Sequence, residues 1–180
     1  MHEKRYSHGV ERLRDPGRVA RLEVPRVVDL ALAGLANPGA VVDIGVGSAL
    51  FAEEFAARGL AVSGVDANPE MLPAAREYVP QGDFRLGTAE KLPFDDAAFD
   101  LAFMGLVFHE TDQPLEALRE TRRVVRQRAA LLEWPYLENP FGPPLAHRIS
   151  PEQIRAWALQ AGYKQVESLQ LQNLVLYRLS

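Results

Sequence analysis

Cysteine is absent from the 180-residue chain, which excludes a disulfide framework, a thiolate nucleophile and a cysteine-ligated zinc or iron–sulfur site. A reducing, cytoplasmic setting is expected. Long apolar runs are also absent: no segment approaches the ~18 uninterrupted apolar residues of a spanning helix, so no membrane association is expected. The first twenty residues are rich in His, Arg, Lys and Glu and are not expected to act as a secretory signal. A basic excess is missing as well. The net charge is −4, the wrong sign for affinity gained by neutralising phosphates, so nucleic acid is not an expected partner. His2, His8, His109 and His147 share no ligand-like spacing, and no metal site is expected.

What remains is the balance of a folded globular protein, 47% apolar and 24% charged. A chain of this length can hide roughly 70% of its unfolded surface, and residues 1–180 are read as one domain. Its leading segment, 1–17, is polar and contains Tyr6 and His8; with Arg18 just beyond, it is either a lid over a ligand or a frayed end. Residues 135–149 hold Pro135, Pro140, Gly142, Pro143 and Pro144, a density that favours an extended substrate loop over either regular element.

Between these segments the periodicity alternates. A helix is expected from Arg18 to Ala36, kinked or restarted at Pro25. A strand over 40–44 should run into a glycine-rich turn and a helix capped by Ser48 and closed by Gly59. A second strand over 60–65 should lead into a helix with Asn68 as N-cap and Pro69 at its first position. Weak and strong strands follow over 84–86 and 99–104, then an arginine-studded helix through Leu115, Leu118 and Val125, a strand over 129–134 and a helix opened by Ser150-Pro151. Two last strands, near 165–169 and 174–179, should pair antiparallel at the sheet edge. This order predicts an α/β fold: one doubly wound, Rossmann-like domain with a seven-stranded, mostly parallel sheet and helices on both faces. Ligands in such sheets bind at strand carboxyl ends.

The chemistry is concentrated in Val41-Val42-Asp43-Ile44-Gly45-Val46-Gly47-Ser48-Ala49, with Asp66 about 20 residues on, the separation of one βαβ step. Glycine at 45 and 47 lets backbone turn sharply and lie against a ligand, beside the amide-rich start of the following helix. Asp66, ending a strand, can accept both hydroxyls of a ribose. A dinucleotide fingerprint would need Gly or Ala at position 50, where this chain has Leu50, and Asp43 would repel a pyrophosphate. Asp43 suits an ammonium instead. A nicotinamide oxidoreductase is therefore the less favoured reading, and S-adenosyl-L-methionine, with an ammonium and no phosphate, is the expected nucleotide.

These blocks resemble the class I methyltransferase family, in the branch sometimes called type 11. Val41 to Ala49 is similar to its first motif, Val65-Asp66 through Met71-Leu72 to its second, and Gly87 to Phe94 with Phe99-Asp100 to its third. Glu120 through Val125 resembles the helix before the fifth strand, and Gly142-Pro143-Pro144 with Arg148-Ile149-Ser150 a loop of some members. The resemblance implies methyl transfer from S-adenosyl-L-methionine, leaving S-adenosyl-L-homocysteine, to a small-molecule acceptor. It adds Ala67, Met71, Thr88, Ala89, Glu90 and Met104 to the cofactor-binding set of Asp43, Gly45, Gly47 and Asp66. It also places His109, beside Glu110, near the transferring methyl as the candidate catalytic base. Two departures stand out: Ala49 where the family often has glycine, and Thr88 where it often has an aspartate.

Other features carry two readings each. His109 is either that base or a histidine bonding backbone in a turn. Arg119, Arg122, Arg123, Arg126 and Arg128 suggest either a phosphate-bearing substrate or RNA, or an ordinary solvated helix face. Trp134, Tyr136 and Phe141 are either pocket wall or core. A chain with little structure beyond the cofactor domain also fits a non-catalytic module that binds S-adenosylmethionine or S-adenosylhomocysteine.

Overall fold

The computed structural model describes residues 9–180, so His2, Tyr6 and His8 lie outside the described residues. Five strands run parallel: β1 (Ala40–Ile44), β2 (Ala61–Asp66), β3 (Asp83–Leu86), β4 (Phe99–Gly105) and β5 (Val125–Glu133). With β6 (Val166–Gln170) and β7 (Val175–Leu179) they form one sheet in the order β3-β2-β1-β4-β5-β7-β6. The order reverses between β1 and β4, and such a reversal opens a crevice at the strand carboxyl ends. The last two strands pair antiparallel, as their short connection requires, and β7 also pairs antiparallel with β5. Thus β6 forms the outer edge and the reversed strand lies one place inside it.

Helices cover both faces because each inner strand is apolar on both sides. One face is packed by α3 (Val24–Leu32), α4 (Leu50–Ala57) and α5 (Met71–Tyr78), whose Val27, Phe55 and Leu72 share one buried cluster with Leu101 and Phe103 of β4. The opposite face is packed by α6 (Pro114–Val124) and α7 (Pro151–Gln160), which bring Leu118 and Ile154 onto Ala102 and Met104. Alternate residues of β4 thus serve opposite cores, the period of two expected of a strand.

Two local expectations are revised, the Ser48 cap and the helix start at Asn68. The helix expected over 18–36 does restart at Pro25, as α2 (Pro16–Leu22), preceded by the short α1 (Val10–Leu13), and α3; Glu23 between α2 and α3 has φ +48. Pro25 lacks an N–H and would clash with a preceding turn, so it is accommodated in the first turn of α3. Ser48 does not cap α4: the turn runs one residue further, Ala49 N–H donates to the Val46 carbonyl at 2.8 Å, and Ala49 itself is the N-cap with φ +59. Asn68 accepts from the Glu70 N–H at 3.0 Å, which makes a turn of residues 68–70 and delays α5 to Met71. Ser150 does cap α7, accepting from the Gln153 N–H at 3.2 Å, with Pro151 first in the helix.

The arginine run divides: Arg119, paired with Glu116, and Arg122 lie on the exposed helix face, whereas the other three are tied down. Arg123 donates to Glu120, Asp96 and the carbonyls of Leu92 and Phe94. Arg126 bonds Asp100 and the carbonyls of Ala97 and Ala98, and Arg128 bonds those of Ala31 and Ala33. The charges are spent tying loops to the sheet's amino end. Asp100, bonded to Arg126 and opposed by partial burial, is held well below the usual carboxylate range.

Candidate functional site

At the carboxyl ends of β1, β2 and β4 lies a cavity of about 570 Å³. Gly45 (φ +74) and Gly47 (φ +50) form the turn that floors it. Their conformation favours glycine, and space enforces it. A Cβ on Gly45 would come within 2.5 Å of Val107, and one on Gly47 within 3.0 Å of Leu13 in α1. The turn is locked to the next strand, since the Gly45 and Val46 N–H groups both donate to the Val65 carbonyl at 2.7 and 3.0 Å.

Asp66 ends β2 with its carboxylate gripped by backbone: Oδ2 accepts from the Gly47 N–H and Oδ1 from the Asn68 N–H, both at 2.8 Å. Partial burial raises its pKa, and the amides of Asn68, Gly47 and Ala67 oppose the rise. Asp43 is nearly sealed, 2% exposed. Burial first, then the charge of Asp66, pushes it up to about 7 against the opposing Ala52 N–H. Two carboxyls of unequal character therefore face one cavity, one poised to change charge near neutrality.

Of the cofactor positions expected from sequence, Asp43, Gly45, Gly47, Asp66, Ala67, Met71, Thr88, Ala89 and Glu90 all line this cavity. Met104 does not, being fully buried in the core beneath. Glu90 also accepts from the Asp112 and Gln113 N–H groups at 2.9 and 3.3 Å, tying the wall after β3 to the loop after β4. Arg18 reaches the rim, with its guanidinium donating to the Leu13 carbonyl at 2.7 Å. Leu50, Val107 and Glu110 are further lining residues; no sequence signal singled out Val107.

His109 is absent from that lining and forms part of a neighbouring cavity of about 270 Å³, walled also by Pro114, Tyr136, His147, Arg148, Ile149 and Trp157. Thr111 lines both cavities. His109 and Glu133 are 8% and 3% exposed. The Glu133 carboxylate accepts the His109 backbone N–H at 3.1 Å and faces Nδ1 at 2.8 Å. Burial favours the neutral imidazole, yet the charge and hydrogen bond of Glu133, aided by Glu110 and opposed by Arg148, raise its pKa overall. Sequence reading missed Glu133, although a carboxylate at a strand's carboxyl end is the same signal that picked out Asp66.

The loop from 135 to 149 is drawn together by buried Arg148, which donates to the carbonyls of Pro135, Leu137, Phe141 and Pro143 at 2.7–2.9 Å. Trp134 is half-buried against the core, whereas Tyr136 and Phe141 are exposed.

A family model described as a methyltransferase domain matches residues 42–132. An uncharacterized methyltransferase of Mycobacterium tuberculosis is 37% identical over 102 residues, 57% of this chain and 41% of its own length. A demethylmenaquinone methyltransferase of Thermotoga maritima is 32% identical over 109 residues, 59% of this chain and 47% of its own. The chain thus spans less than half the length of these curated relatives. The fold matches a SAM-dependent methyltransferase from Aquifex aeolicus with a TM-score of 0.83 at 24% identity, covering 94% of this chain and 95% of that one. With half the chain matched by the family model, and all of the cavity lining except Leu13 and Arg18 drawn from that stretch, the protein belongs to the methyltransferase domain family, in its class I S-adenosylmethionine-dependent group.

Proposed function

We propose that the chain transfers a methyl group from S-adenosyl-L-methionine to a small-molecule acceptor. The observation that carries this reading is the shared cavity in which Asp66 is fixed by the Gly47 amide while Asp43 lies buried beside it. The residues fit the group. Asp66 keeps lone pairs for ribose hydroxyls after accepting two backbone N–H bonds, the bare turn at Gly45 and Gly47 admits an amino-acid tail, and Asp43 can answer its ammonium. Ala67, Met71, Thr88, Ala89 and Glu90 would enclose the adenine and ribose; Thr88 offers a hydroxyl where a carboxylate would bond more strongly.

When bound, the sulfonium supplies an already activated methyl group. The chain's part is then alignment, exclusion of water and, for an acceptor that must lose a proton, a base. His109 is proposed for that task. Leu13 against Gly47, and Arg14 donating to the Ser48 carbonyl at 2.8 Å and to Glu53 at 2.9 Å, support a role for the leading segment as a lid over the cofactor turn. Residues 135–149 are proposed as the acceptor loop, since Tyr136, His147 and Arg148 all reach the second cavity. The leading segment and the loop both fall outside the matched stretch 42–132, so acceptor choice is expected to be this chain's own.

Calorimetry with S-adenosylhomocysteine, followed by turnover of S-adenosylmethionine against pooled acceptors, tests the reading. Binding with turnover is expected. Binding without turnover would make the chain a cofactor-binding module, and absence of binding would overturn the cofactor assignment.

A further inference from the structure

We propose that the second cavity takes a small phenolic acceptor, whose hydroxyl proton passes to Nε2 of His109, and that Glu133 is the residue positioning His109 for this task. The proposal rests on the methyltransferase reading above.

Because the Glu133 carboxylate can only accept, its 2.8 Å contact fixes the proton of neutral His109 on Nδ1 and leaves the Nε2 lone pair available. The second bond from Glu133, to the His109 backbone N–H, sets the turn as well as the ring. A buried imidazole so held becomes a stronger base, and the carboxylate stabilises the imidazolium formed when a proton arrives. The other charged groups near it are Glu110, with an oxygen 3.9 Å from Nε2, and Arg148, whose guanidinium is engaged by four carbonyls. His147 lines the same cavity. On the sheet side, the Tyr177 hydroxyl feels the charges of Glu133 and Glu152.

The cavity's chemistry narrows the acceptor. Tyr136 and Trp157 give it aromatic walls, and Trp157 is steadied edge-on against Phe108, with ring centroids 6.1 Å apart. Although the carboxylate of Glu110 stands 3.9 Å from Nε2, no aspartate or glutamate is among the cavity's described lining residues, so the walls themselves favour a neutral aromatic acceptor. A carboxylate acceptor would need no base. A phenol, with pKa about 10, gives up its proton to imidazole far more readily than an aliphatic alcohol does. In the step, the phenol oxygen forms a bond to the methyl carbon and the carbon–sulfur bond breaks with its electron pair left on sulfur. The hydroxyl proton moves to Nε2 and is later released to water. Thr111, common to both cavities, marks where acceptor and cofactor approach.

Catechol and 4-nitrophenol serve as probes, with S-adenosylhomocysteine calorimetry, Trp157 fluorescence and nitrogen NMR of the His109 ring. Expected are methyl ethers of the phenols with wild-type protein and quenching of Trp157 by catechol, lost in Trp157→Phe. NMR of the free protein should find the Nδ1–H tautomer. In Glu133→Gln the His109 titration midpoint should fall and kcat drop about 100-fold, while KM for the phenol and Kd for S-adenosylhomocysteine stay within about twofold. Glu133→Asp, partly restoring the midpoint and kcat together, carries the test if the glutamine variant does not fold. Cofactor product binding without catechol binding or methylation overturns the phenolic site. An unmoved midpoint and kcat in folded Glu133→Gln overturn the positioning role. Failure to bind S-adenosylhomocysteine at all overturns instead the underlying methyltransferase reading.

Discussion

The backbone N–H of Gly47 donates to Oδ2 of Asp66 at 2.8 Å, so the turn after β1 and the end of β2 hold each other without help from a ligand. The carboxylate is thereby aimed before binding, and little ordering cost remains to be met when a ribose arrives. Replacing Asp66 by Ala removes this brace along with the hydroxyl acceptor. S-adenosylhomocysteine affinity should fall by roughly 10- to 100-fold, the usual worth of hydrogen bonds to a charged group. Isothermal calorimetry checks this, and an unchanged Kd would refute the ribose role.

Gly45 faces Val107 so closely that even one methyl group has no room, and its φ of +74 adds backbone strain for any other residue. Gly45→Ala should cost more than about 2 kcal/mol and close part of the cofactor cavity. Adding Val107→Ala should recover part of the stability, because it removes the steric share and leaves the backbone share. Urea unfolding of the two variants separates these contributions; no recovery in the double variant would mean the clash is not the cause.

Asp43 should make the protein less stable as pH rises. Its carboxyl titrates near 3.8 when unfolded and at about 7 when folded, so between those values the native state binds the extra proton. Stability must then decline from about pH 4 to about pH 7 and level off above. Asp43→Asn should flatten that portion of the curve and be the more stable form at pH 8, by an amount on the order of 1–3 kcal/mol. Urea melts across the range provide the comparison. A ligand ammonium beside Asp43 should also release a proton on binding, seen as buffer-dependent heats near pH 7.

His109 behaves with the opposite origin but the same sign. Its folded pKa is raised, so its stabilising contribution is complete below about pH 6.5 and is lost as pH climbs through the folded value. In Glu133→Gln the raising influence is gone while burial remains, and this loss near neutrality should vanish or reverse. Thermal melts of both proteins between about pH 5.5 and 8.5 read the difference; parallel curves would show that Glu133 does not govern the imidazole.

Arg148 gathers the 135–149 loop by donating to four of its carbonyls while buried. Arg148→Ala leaves those carbonyls short of donors and should cost about 2–4 kcal/mol. Arg148→Lys should rescue little, since one ammonium cannot span the fork of contacts. Hydrogen exchange and limited proteolysis should report the opening selectively within this loop; uniform protection would count against the clamp.

Much of the architecture was legible because it is written in local pattern. The strand–turn–helix from Val41 to Ala49, the carboxylate ending β2 and the alternation of strands and helices are short-range features, each with a geometric cause a few residues long. Resemblance extended the cofactor set, and nine of those ten positions converge on one cavity. The Ser48 cap was misplaced because Ala49, in left-handed conformation, shifts the start of α4, and alanine does not announce such a conformation, whereas the restart at Pro25 was legible from proline's missing N–H.

The sequence by itself determined the doubly wound order and the glycine turn facing Asp66, since hydrophobic period and backbone freedom are properties of neighbouring residues. Only the tertiary structure decided that Asp43 is sealed from water, that Arg123, Arg126 and Arg128 are spent on carbonyls and carboxylates, and that Glu133, 24 positions from His109, grips its ring. Those outcomes depend on burial and on contacts between distant segments, which fix dielectric surroundings and partners, and no window of adjacent residues contains them.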